Sequence, residues 1–449
     1  MAQAFPLSVQ SPVTYPGPAP QEADVVVIGG GVVGVSAALF LARGGHRVVL
    51  LEKGRVAAEQ SGRNWGWIRQ QGRDPHELPI MKEANQHWRD LAALTNVDIG
   101  LVQGGVTYLA SDEAALARYA EWQPLAQTHG IDTQLLSARQ TKTLVPGMSR
   151  QFAGALYTPS DMRAEPWVAV PALAGIAARE GACLVENCAV RCLDVSDGRV
   201  AGVFTETSHI ACSEVILAGG VWSSLFLANH GVTLPQLSVR ATVAATTPLP
   251  MINPGGVAND QIGFRPRVDG GYTIAPDSFH ELFIGPSAFR DLSKYLTQLR
   301  ADPFGTRFLP WAPKGYPDAW GTQRRWDGDM QTPFEAMRVL NPKPNIAKLK
   351  SLKRDFAALF PSLPPFEVST AWAGMIDTMP DLVPVVDRIA ALPGLTVGTG
   401  MSGHGFGIGP AMGRILADMA LGRPVGHDLS RFRFSRFADA SKMDLGAGL

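Results

Sequence analysis

The chain has 449 residues, too many for one small core, so two domains are the expectation. Forty basic and 40 acidic residues balance to a formal charge of zero with no long run of one sign, which argues against a nucleic-acid partner. A hydrophobic content of 46 % against 18 % charged suits a well-buried enzyme, and 47 glycines imply many close backbone approaches.

The first 20 residues hold five prolines and no basic residue, so 1–21 reads as a loose arm, neither signal peptide nor membrane anchor. The uncharged run from Val25 to Ala42 is within transmembrane length, but its glycines divide it into a buried strand and a buried helix. No transmembrane segment is expected. Cys183, Cys188, Cys192 and Cys212 form no CxxC and have no histidine at zinc spacing, so they read as reduced thiols of a cytoplasmic protein, with no metal site.

Val25 to Ile28 is a continuous apolar strand, as in a parallel sheet covered on both faces. A GxGxxG turn follows at Gly29, Gly31 and Gly34, then a helix from about Val32 to Arg43 and a second strand, Val48 to Leu51, ending at Glu52. Gly29 permits the turn, Gly31 lets a pyrophosphate approach the backbone, and Gly34 lets helix and strand pack closely. Phosphates then sit at the helix N-terminus, beside Val32 and Val33. Glu52, eighteen residues beyond Gly34, can accept hydrogen bonds from both ribose hydroxyls, and its charge disfavours a 2′-phosphate. The alternative is a glycine-rich structural turn, but strand, turn, helix, strand and acid all occur in order.

The stretch SGRNWGWIRQQGRD, 61–74, crowds tryptophans, arginines and glutamines beside glycines, as a loop covering something large, flat and charged would. A loop-to-strand signal at 100–119 opens a second domain. Glu186 to Ser224 reads as a β-meander returning to a strand, Glu214 to Leu217, that ends in Ala218, Gly219, Gly220, Val221 and Trp222. Phe264-Arg265 and Tyr272-Thr273-Ile274 form a hairpin about Asp269-Gly270-Gly271. Pro276 to Arg325 is a less regular insert with one helix, on which Phe289, Leu292, Tyr295, Leu296 and Leu299 share a face that packs on its own domain, with a lid or dimer surface as the alternative. Leu395 to Gly422 is strand, glycine-rich loop and a helix starting near Pro410.

Taken together, the GxGxxG unit, "EQSGR", "ENCAVR", "LAGGVWS", "GFRPRVDGGYTIAP", "QTPFEAMRV" and "WAGMIDTMPDLVPVV" resemble the glycine/D-amino-acid oxidase (DAO) superfamily of flavoproteins, and within it the L-amino-acid deaminase branch. The resemblance runs from residue 22 over nearly the whole chain. It implies an α/β fold: a Rossmann-like FAD-binding domain of 22–100, 165–235 and 345–430, with an inserted α+β substrate domain of 101–164 and 236–344 on an antiparallel or mixed sheet. A tail, 431–449, is expected to fray. The implied cofactor is non-covalent FAD. Lys53 would join Glu52; Ser61, Gly62, Arg63, Asn64, Trp65 and Gly66 would follow pyrophosphate and flavin; Val190, Ala218, Gly219 and Trp222 would enclose the adenosine; Gly374, Asp381, Gly403, His404, Gly405, Phe406 and Gly407 would border the ring.

The implied reaction is hydride transfer from an amino-acid Cα to flavin N5, giving an imino acid that water hydrolyses to a 2-oxo acid and ammonia or amine. A carboxylate substrate needs a fixed cation, and the resemblance places it at Arg265, with Arg267 in reserve. His404 reads as a loop residue satisfied by backbone hydrogen bonds or as a catalytic base, and Trp372 as a wall of the substrate site or a core tryptophan at the end of a strand. Trp67, Arg69 and Gln70, with Arg73, point toward a substrate with a second anionic or polar end. A 2-hydroxy-acid dehydrogenase and an electron-transferring flavoprotein subunit remain alternatives. Oligomeric state is not readable, and weak membrane association through the insert stays open.

Overall fold

The computed structural model describes residues 5–445. Val25–Ile28 pairs in parallel register with Val48–Leu51 on one side and Glu214–Leu217 on the other. These strands belong to a six-stranded sheet completed by Cys183–Val185, Leu395–Thr399 and the antiparallel edge strand Val385–Arg388. The helix Val32–Arg43 buries ten of its residues against one face, joined there by Pro166–Arg179, Glu77–Leu94 and Gly405–Ala420. Leu39 and Leu41 in this layer are fully buried; such burial stabilises by about 1.5–3 kcal/mol per side chain. The other face is covered by the antiparallel meander Val190–Ser196, Arg199–Thr205 and His209–Ala211.

The closeness of helix and first strand rests on Gly34. A Cβ there would stand 2.0 Å from the Gly29 carbonyl oxygen, a backbone atom that cannot move aside. Gly34→Ala is expected to lower stability by about 1–3 kcal/mol through overpacking and to yield protein with little bound flavin. Thermal unfolding and flavin content check this.

A ten-stranded mixed sheet forms the second layer system. Its spine is the long strand Leu237–Thr246, paired antiparallel with Val368–Thr378 along nearly its whole length. The hairpin Ile262–Pro266 and Tyr272–Pro276 lies beside it, with Arg267 N–H to Gly271 O at 2.8 Å closing the turn. Helix Ile346–Leu359 packs Phe356 on Phe264 and Tyr272. The segment expected wholly in the dinucleotide domain, 345–430, is therefore shared. Its helix and long strand serve the second sheet, and the chain rejoins the six-stranded sheet at Val385.

Other expectations change. The N-terminal arm is docked: Arg55 holds the carbonyl of Ser11, Glu186 accepts the Thr14 N–H at 2.6 Å, and Phe5 is buried against Trp372. The tail forms short helical turns at Ser430–Phe432 and Phe434–Phe437, with Phe432 and Arg436 buried; residues 446–449 lie outside the described range. The insert helix is two pieces, Pro286–Arg290 and Leu292–Ala301. Its apolar face is split, with Tyr295 buried and Phe289, Leu292 and Leu296 exposed. Among the described residues no helix is long and apolar enough to cross a membrane, and all four cysteines are free.

Candidate active site

A cavity of about 850 Å³ runs between the two sheets, from the ends of the parallel strands to the underside of the insert. At its first end Gly29, Gly31, Val32 and Val33 line the floor. The first helical bond is Val35 N–H to Gly31 O, which leaves the Val33 and Gly34 amides without a helical partner. Ser61 Oγ accepts the Val32 N–H at 2.9 Å. Glu52 is fixed by the amides of Gly30 and Gly54, each at 2.7 Å, so each oxygen keeps lone-pair capacity for a ribose hydroxyl. Val190, Ala218, Gly219 and Trp222 line the same end. Lys53 Nζ lies 4.4 Å above the Trp222 ring and pairs with Glu59 at 2.6 Å.

The middle of the cavity is bordered by Arg63, Asn64, Gly374, Gly403, His404, Gly405 and Phe406. Here the helix Gly405–Ala420 begins, five residues before the expected start, and Pro410 lies inside it. Its N-terminus faces the cavity, where free amides favour negative charge. The cradle at Gly31, the preoriented Glu52 and two helix N-termini on one long cavity fit FAD.

At the far end stand Trp65, Trp67, Tyr108, Arg69, Arg73 and Asp277. Trp65 and Trp67 meet edge to face at 5.2 Å, and the Arg69 guanidinium lies 5.3 Å over Tyr108. Arg69 donates to Gln71 O at 2.7 Å. Arg73 is buried with its Nη1 lacking a partner among the described residues, and burial pulls it down to about 9, which leaves it charged at neutral pH. Among the described residues neither arginine forms a salt bridge. The other cations on the cavity are engaged by protein: Lys53 by Glu59, Arg55 by Ser11 O and Asn187, and Arg63 by Ala58 O, Asn341 and Ala373 O.

The FAD dependent oxidoreductase (DAO) family matches residues 24–419. The chain belongs to this family. A mitochondrial sarcosine dehydrogenase from Mus musculus is 32 % identical over 237 residues, 51 % of this chain but 26 % of that protein, so the chain spans about a quarter of that relative's length. Glycine oxidase from Geobacillus kaustophilus is 25 % identical over 92 % of this chain and 97 % of its own. The solved structure of L-amino acid deaminase from Proteus myxofaciens in complex with anthranilate superposes with a TM-score of 0.90 at 28 % identity, covering 98 % of this chain and 97 % of that one.

Within this flavoprotein fold several expected site residues sit elsewhere. Arg265 is fully buried outside the cavity, where Nη1 and Nη2 meet both oxygens of Glu165 at 2.7 and 2.9 Å and Nε donates to Trp65 O. Four of its five N–H donors are engaged by protein, which places it away from the role of substrate clamp. Arg267, the reserve, pairs with Asp269 and stacks on Trp167. Trp372 is also buried outside the lining, its indole N–H on Arg63 O at 2.9 Å, so it supports the loop instead of walling the substrate. Asp381 is buried in a bidentate pair with Arg436 and touches no part of the cavity. Gln70 turns away to Ser160 and Asp161. Gly66, at φ +80°, admits Ala164 O and Arg265, not a flavin: a Cβ would lie 2.3 Å from that oxygen. Gly62 and Gly407 lie behind the lining, packed on Ala57 O and Ile68.

His404 does line the cavity, with Nδ1 3.4 Å from the buried Glu77 carboxylate, too long and misaligned for a good hydrogen bond. Burial, aided by Arg73, pulls its pKa down to about 4 against the pull of Glu77, so the ring is neutral at pH 7. Tyr108, Asp277 and Glu59 were not anticipated. Tyr108 sits in the strand Val106–Ala110, buried throughout, and Asp277 follows a hairpin whose strand ends at Pro276.

Proposed function

We propose that this chain oxidises the Cα–N bond of an α-amino acid or N-substituted amino acid, giving an imino acid that hydrolyses to a 2-oxo acid and ammonia or amine. The observation that carries this reading is a pair of guanidiniums, Arg69 and Arg73, that have no carboxylate partner among the described residues and stand at the end of a cavity shaped for FAD. Bound FAD supplies the hydride acceptor. Arg69 takes the substrate carboxylate in its planar fork, and Arg73 behind it adds positive potential. Trp65, Trp67 and Tyr108 wall the substrate and keep water from the reacting carbon. Neutral His404 adds no charge that would compete with Arg69 for the carboxylate.

The relatives support an amino-acid substrate, being a sarcosine dehydrogenase, a glycine oxidase and an L-amino acid deaminase. In this reading FAD is held without a covalent bond. The test is anaerobic mixing of purified holoenzyme with L-, D- and N-alkyl amino acids and with 2-hydroxy acids. Flavin bleaching by an amino-acid class and not by 2-hydroxy acids is expected. The reverse pattern would replace this reading with hydroxy-acid oxidation.

A further inference from the structure

Among the described residues five carboxylates line the main cavity: Glu52, Glu59, Asp277, Asp302 and Asp377. Four are engaged by protein. Glu52 holds the Gly30 and Gly54 amides, Glu59 holds Lys53 and Trp222, Asp302 accepts the Gly305 N–H at 2.8 Å, and Asp377 accepts those of Gly400 at 2.8 Å and Gln236 at 3.1 Å. Among the described residues the Asp277 carboxylate has neither hydrogen bond nor salt bridge; its backbone N–H is engaged by Gln261 O. It also lines a second cavity, of about 680 Å³, whose rim carries the exposed Arg118 and Glu121. Asp277 and Tyr108 thus stand in the wall between the two spaces.

We propose that Asp277 takes the proton that the substrate's α-ammonium must lose before Cα is oxidised, and passes it to water in the second cavity. The proposal rests on the amino-acid reading above. An ammonium has no lone pair with which to form C=N as hydride leaves Cα. In the transfer step R–CH(NH3+)–COO− and the Asp277 carboxylate become R–CH(NH2)–COO− and the Asp277 carboxylic acid. The N–H bond breaks, an O–H bond forms and no electron is exchanged with another reactant. The acid then releases its proton to water and is ready again. Arg69 and Asp277 present opposite charges at one end of the cavity, matching the carboxylate and ammonium of a zwitterion. The groups facing Asp277 are Arg69 from the loop after Trp67–Ile68, Tyr108 from its strand, Tyr119 and Arg118 from helix Glu113–Thr128, and Asp260 from the β-turn before Ile262. Burial pushes Asp277 up to about 6, with Arg69 drawing it down and Asp260 raising it, a value suited to accepting and releasing a proton near neutrality. His404, held at about 4, is the weaker base.

The test uses holoenzyme and Asp277→Asn. Two amino acids with no hydrogen on Cα, 2-aminoisobutyrate and α-methylphenylalanine, are titrated calorimetrically beside their nitrogen-free counterparts, isobutyrate and 2-methyl-3-phenylpropanoate. Wild type should favour the amino acid of a pair, and its kcat/KM for an oxidisable amino acid should rise with pH through about 6 as Asp277 ionises. Asp277→Asn should bind the nitrogen-free acid unchanged, lose the preference for nitrogen, lose the acidic limb and fall in kcat/KM by about 10²-fold or more. Retention of both limb and preference overturns the proposal. So does equal loss of both ligands, which marks a structural role, or a wild type indifferent to the nitrogen. Failure of the amino-acid reading itself is distinct: the wild-type flavin would not bleach with any amino acid.

Discussion

Arg69→Met is expected to lower kcat/KM by about 10²- to 10³-fold while leaving the fold and flavin content intact. Methionine keeps an apolar stem over Tyr108, so the loss falls on the charge. Removing one partner of a desolvated charge pair costs about 2–5 kcal/mol, and each 1.4 kcal/mol is about tenfold. Binding of a simple carboxylate, followed by the perturbed flavin spectrum, should weaken in parallel. The structural basis is that Arg69 spends one donor on Gln71 O and faces the cavity with the rest of its fork. An Arg69→Met enzyme that binds carboxylates as wild type does would remove this residue from the site.

The second large effect concerns stability. Arg265 and Glu165 form a bidentate pair away from water, with Val268 N–H also on Glu165 at 3.1 Å. Arg265→Met leaves a carboxylate buried without its cation, at a cost of about 3–5 kcal/mol. Replacing both residues by apolar ones should cost clearly less than the sum of the single changes, because no charge is then stranded. Urea unfolding of the two single variants and the double variant measures this. A stable Arg265→Met protein that had lost substrate binding would instead restore Arg265 as the clamp.

These two arginines show what sequence can and cannot carry. Strand, turn and helix at 25–43 were legible because every relevant interaction is local: an apolar run, glycines at fixed spacing, and an acid at the end of the next strand. The role of an arginine depends on partners far along the chain. Arg265 meets Glu165 a hundred residues away, and nothing in "GFRPR" signals that encounter. Trp372 takes the core alternative and Asp381 leaves the cavity for the same reason, since Arg63 and Arg436 engage them from distant segments. The start of the last helix was placed late because Pro410 resembles a first-turn proline, although helix interiors accept proline at the expense of one hydrogen bond. The loop at 61–74 divides in a way its composition could not show. Arg69, Arg73, Trp65 and Trp67 face the cavity, whereas Gln70 braces Asp161 behind it.

The most direct test of the proposed reaction is a single anaerobic turnover of the holoenzyme with the amino acid that bleaches it fastest. One 2-oxo acid and one ammonia or amine should be released for each flavin reduced, in wild type and, far more slowly, in Arg69→Met. With an acyclic amino acid, flavin reduction without release of nitrogen would contradict oxidation at the Cα–N bond.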